Sequence, residues 1–67
     1  MIDETLELAA GDLDEARGKI TATREALERA LEAADSDEVR AAIARLERIE
    51  AELAAVERKV AGQAVKV

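Results

Sequence analysis

The sequence predicts an all-α fold: an antiparallel two-helix coiled-coil hairpin, expected to dimerise into a four-helix bundle. Three observations carry this reading. Large apolar residues recur every seventh position in both halves of the chain, at Leu6, Leu13, Ile20 and Leu27 and then at Val39, Leu46, Leu53 and Val60. The two series are separated by the short polar stretch Asp35-Ser36-Asp37-Glu38. The chain has no aromatic residue, Pro, Cys or His, and 39% of it is charged. That composition with a seven-residue period belongs to long helices packed side by side.

The whole chain, 1–67, reads as a single helical hairpin. Helix 1 is expected over about residues 3–34, some 45 Å at 1.5 Å per residue. Asp3 is its expected N-cap, with Glu4 and Glu7 complementing the dipole in the first turn. If Leu6 is given heptad position a, then Ala9, Ala16, Thr23 and Ala30 take position d. Gly11, followed by Asp12 and Glu15, has the makings of a helix stop and a new capping box. The unbroken phase from Leu6 to Ile20 favours one continuous helix, with Gly11 and Gly18 at the outward position f. There each glycine weakens the helix by about 1 kcal/mol without disturbing packing.

The reversal is expected at about residues 34–36. Ser36 offers a hydroxyl to the free amides of a second helix, and Asp37 and Glu38 put negative charge on its first turn. Asp35 with Glu38 is a competing capping box one residue earlier. Helix 2 is expected over about 36–62, with Ala42, Ile49, Val56 and Gln63 at d and a frayed tail over 63–67.

The two seams complement each other when the chain folds back. Pairing residues whose numbers sum to 69 sets Ala9 against Val60, Ala16 against Leu53, Thr23 against Leu46, Leu27 against Ala42 and Ala30 against Val39. Small faces large in each of these layers, while Leu13–Val56 and Ile20–Ile49 pair large with large. The expected seam is therefore Leu6, Leu13, Ala16, Ile20, Thr23, Leu27, Val39, Leu46, Ile49, Leu53, Val56 and Val60. The flanks agree: Asp12 falls near Lys59, Lys19 near Glu52, and Arg17 near Glu50, with Arg24 and Glu57 a turn to either side. All are opposite in sign, which selects orientation more than it adds stability. Leu31 and Ile43, at position e near the turn, widen the apolar face beyond what a lone two-stranded seam requires.

Composition excludes most chemistry. The formal net charge of −6 disfavours nucleic-acid and anionic-membrane partners. No segment is apolar enough to span a membrane and no leader pattern is present, so a cytoplasmic location is expected. Without Cys or His there is no staple and no common zinc chemistry, and two helices this short bury too little to stand alone. Self-association is the remaining route to stability.

Apparent motifs dissolve on inspection. Gly18-Lys19-Ile20-Thr21 has Leu13 where a phosphate loop needs its first Gly, and Ile20 where it needs Ser or Thr. Asp12-Leu13-Asp14 starts like a calcium loop but continues through Ala16 and Arg17. No nucleophile–base set can be assembled. The protein is read as not an enzyme, with no cofactor, no metal and no small-molecule substrate. Thr23 reads as bonding a carbonyl one turn back, or else as a register device. Ala41, Ala44, Ala51, Ala54 and Ala55 give helix 2 a small-residue outer surface.

The architecture and the acidic turn are similar to those of the dimeric helical hairpins of the Rop RNA-binding family. That resemblance implies the hairpin dimer. RNA binding in that family needs a basic, aromatic-bearing helix 1 face, and here the first turns of helix 1 carry Glu4, Glu7, Asp12, Asp14 and Glu15 with no aromatic. The function does not carry over. The expectation is a small non-catalytic homodimeric interaction module or adaptor, with itself and another protein as partners. The alternative is an acidic inhibitor, of the kind phages encode, that occupies a basic site on a nucleic-acid-handling protein. Candidate partner contacts are Glu7, Asp14, Glu15, Leu31 and Ile43.

Overall fold

Good helix formers fill both halves, and only the segment 34–36 interrupts them. A computed structural model, describing residues 4–65, shows two α-helices: α1 over Glu4–Ala33 and α2 over Asp37–Val65. They fold back on one another along their length to give a slender hairpin about 52 Å long. Asp3, Lys66 and Val67 lie outside the described residues, so the expected N-cap and the last tail positions do too. α2 continues through Gln63 to Val65, past the end near 62 read from Gly62. Their amides donate to carbonyls one turn back, which holds these residues in the helix even though Gln63 is exposed.

α1 runs through Gly11 and Gly18 without a break, and no glycine among the described residues adopts positive φ. The uninterrupted apolar phase prevails over the stop signal at Gly11. The reversal needs no glycine either. The Ala34 amide donates to the Ala30 carbonyl, extending the last helical turn, and three residues suffice to cross over. Ser36 is the N-cap of α2: its Oγ accepts from the Val39 amide at 3.3 Å, and its carbonyl accepts from Arg40. The competing box through Asp35 and Glu38 is not used. Asp35 instead accepts from Arg40, whose other guanidinium nitrogen donates to Asp37 at 2.9 Å. One arginine thus ties the turn to the first turn of α2.

The seam itself is rotated from the expected one. Leu6, Leu13, Ile20, Leu27, Val39, Leu46, Leu53 and Val60, all at position a, are half-buried between the helices. Their inward companions, however, come from position e: Leu31 is half-buried, and Ile43, 8% exposed, is the one buried apolar side chain among the described residues. Of the residues expected in the seam at d, Ala16, Thr23, Ala30, Ile49 and Val56 are exposed, while Ala9 and Ala42 are half-buried. The reason lies in the width of the apolar band. Position e lies about 40° to one side of a, and d about 60° to the other. A single neighbouring helix covers only one side, and the e side carries the larger apolar groups near the turn and the complementary charges along the rest.

Candidate interaction faces

The rotation gives the hairpin two unlike faces. Antiparallel helices meet flank to like flank, so the e positions of both helices share one face and the d positions share the other.

On the e face, charged side chains bridge the helices above the apolar a row. Arg17 donates through Nε to Glu57, and Arg24 donates through Nε to Glu50. The Arg24 Nη2 reaches the second Glu50 oxygen at 3.4 Å, and that oxygen also accepts from the Thr21 hydroxyl at 2.9 Å. Each arginine is held from behind on its own helix: Arg17 by Asp14 at 2.7 Å and Arg24 by Glu28 at 2.8 Å. The Glu50 and Arg24 side chains are only 18% and 19% exposed. The hydrogen bond from Arg24 holds the Glu50 carboxyl below the usual carboxylate range, against the opposing effect of partial burial and with help from Thr21. Arg17 and Arg24 are raised above the ordinary guanidinium value, chiefly by their hydrogen bonds to Glu57 and Glu50.

On the d face no hydrogen bond or ion pair between side chains bridges the helices among the described residues. Ala16, Thr23 and Ala30 of α1 and Ile49 and Val56 of α2 are exposed, the last two at 37% and 43%. The Thr23 hydroxyl donates to the Lys19 carbonyl at 2.9 Å, so it is satisfied within its own helix. Asp12, Lys19, Glu52 and Lys59 line the rim at position g, all exposed. The ion pairs expected there, Asp12–Lys59 and Lys19–Glu52, do not form among the described residues. Turning the seam toward e carries the two g flanks apart. The paired arginines on the other flank fall out as Arg17–Glu57 and Arg24–Glu50 instead of Arg17–Glu50.

The candidate partner contacts separate accordingly. Glu7, Asp14 and Glu15 are exposed on the shoulder of α1, but Asp14 is engaged by Arg17. Leu31, half-buried, and Ile43, buried, both turn inward at the turn end of the seam. Thr21 escaped notice in the sequence because a polar residue at b reads as solvated unless the rotation of the seam is known, whereas Glu50 was expected on this flank beside Arg17 and is instead held by Arg24 and Thr21. The described residues enclose no pocket, and they gather no group of three His, Cys, Asp or Glu side chains able to hold a metal ion. Among them no helix is long and apolar enough to cross a membrane.

No family model matches the chain, and neither a curated protein nor a solved structure shows significant similarity to it.

Proposed function

We propose that the protein is a small, non-catalytic, cytoplasmic interaction module that works as a homodimer, two hairpins forming a four-helix bundle that docks another protein. The observation that supports this most is the open d face. A hairpin with one buried apolar side chain among the described residues and an exposed row of Ile, Val, Ala and Thr has an unfinished core. Surface area argues in the same direction. A compact monomer of 7.2 kDa exposes about 4,100 Å² by the usual scaling, and this chain exposes 5011 Å². The excess is close to the roughly 800 Å² that each partner buries in a standard interface. A second copy supplies such a surface at no cost in new sequence, because the face it must match is its own.

Sedimentation equilibrium and thermal melts over a hundredfold range of protein concentration test the proposal. Association with a melting temperature that rises with concentration supports it, whereas a folded monomer throughout rejects it. The alternative of an acidic inhibitor draws on the exposed Glu7 and Glu15 and on the net charge of −6. Capture from a lysate separates the two readings by the prey: a nucleic-acid-handling enzyme with a basic site favours the inhibitor, and a structural protein favours the adaptor.

A further inference from the structure

We infer that the two hairpins stack through their d faces with both turns at the same end, so that α1 of each copy lies along α2 of its partner. This inference rests on the homodimer proposed above and specifies its geometry. Two copies that share the same face and keep their helices aligned can close in two ways. A two-fold axis running along the helices puts α1 over the partner's α2, with the turns together. An axis running across them puts α1 over α1 and α2 over α2, with the turns at opposite ends.

Side-chain size distinguishes the two. The d row of α1 is small, with Ala9, Ala16, Thr23 and Ala30, whereas that of α2 carries Ile49 and Val56 in its middle, between Ala42 and Gln63. The same-end arrangement lays Ala16 and Thr23 against the partner's Val56 and Ile49 in the middle layers on both sides of the bundle. The opposite-end arrangement sets small on small and large on large, so one pair of helices is underfilled while the other is forced apart.

Charge distinguishes them more sharply. Lys19 sits at the middle of α1 and Glu52 at the middle of α2, both exposed on the rim of the d face and without an ion-pair partner among the described residues. An axis across the helices passes through these midpoints. It would bring Lys19 against the partner's Lys19 and Glu52 against the partner's Glu52, with Arg45 near the partner's Lys59. An axis along the helices keeps residues at their own height, so Lys19 meets the partner's Glu52 and Asp12 meets the partner's Lys59. Every rim pair is then of opposite sign, and the rim charges that the single hairpin leaves unpaired acquire partners from the second copy.

A nitroxide spin label at Glu32→Cys tests the arrangement in the full chain. Glu32 is exposed near the turn end of α1, at the outward position f, and the protein has no other thiol. Turns at the same end place the two labels about 30 Å apart across the bundle diagonal, and turns at opposite ends place them more than about 40 Å apart. The shorter distance is the expected result. A distance beyond 40 Å in a sample that sediments as a dimer overturns the arrangement and leaves the homodimer standing. A monomer at every concentration overturns both. Lys19→Glu gives an independent reading: the dimer Kd should weaken roughly fivefold and recover in Lys19→Glu/Glu52→Lys. Opposite-end packing exchanges one like-charged pair for another, so an unchanged Kd in Lys19→Glu also overturns the arrangement.

Discussion

The two faces of the hairpin start from the same heptads and end differently. On the e face, Arg17, Arg24, Glu50 and Glu57 span the groove, and Thr21, Asp14 and Glu28 hold them in place. That face is finished inside one chain. On the d face, Ile49 and Val56 stand exposed beside a row of Ala and Thr, and the charges on the rim face outward without partners among the described residues. The comparison shows that an apolar band wider than one seam must be completed twice. Here complementary charge completes one flank within the chain, and apolar surface on the other flank stays exposed. It also accounts for where the chain keeps its polar hydroxyls: Thr21 serves the ion pairs, while Thr23 turns back to its own helix and leaves the open face free of unmet donors.

The sharpest way to break the comparison is to charge the open face. Ile49→Asp should weaken self-association by at least about a hundredfold, because an unpaired carboxylate would be buried in the assembled core. Sedimentation and far-UV circular dichroism would record loss of dimer and of helix together. Leu8→Asp, at a site 72% exposed on the outer side of α1, is the control and should change neither. If the two variants behave alike, the d face has no special role.

Ile43→Ala tests the finished side of the seam. Truncating this buried side chain should cost about 2–4 kcal/mol. Its effect should appear as a lower melting temperature at every protein concentration, since the contact is made within one chain. A loss that vanishes at high concentration would place Ile43 in the interface instead.

Gly18→Ala belongs to neither face. An added Cβ there meets nothing within 4 Å, and the residue sits in mid-helix. A gain of about 0.5–1 kcal/mol in chemical denaturation is expected, with dimer affinity unaltered beyond the gain in folding.

The smallest effects should come from the ion pairs. Because Glu50 is held below its ordinary range in the fold, its contribution is present above the usual Glu value of about 4.3 and fades as pH falls through the lowered folded value. An acid titration should therefore lose a small increment of stability below about pH 4.3, and Glu50→Gln should lack that increment while melting slightly lower at neutral pH. An equal acid response in wild type and variant would mean that the bridge does not contribute.

Much of this was legible in the chain. Leucine and isoleucine every seventh residue dictate two helices, and a helix of any other phase would strand Leu13 and Ile20 in water. Ser36, followed by two acids, marks where α2 starts to within the one residue that separates it from the competing cap at Asp35. Both are local effects: amide hydrogen bonding, helix propensity and the heptad period act within a few residues and can be read from them. Thr23 was legible for the same reason, since its acceptor is one turn away. Which flank of the a row turns inward was not. That choice depends on residues 26 to 40 positions apart, Arg24 with Glu50 and Arg17 with Glu57, and on whether Ile43 finds cover, and both d and e offered opposite-charge flanks on paper. The sequence by itself determined the helices, the capped turn and the antiparallel sense. Only the tertiary structure decided the rotation of each helix about its own axis. A turn of some 50° in each helix leaves the backbone unchanged but exchanges one flank for the other, so packing and pairing across the chain had to make the selection.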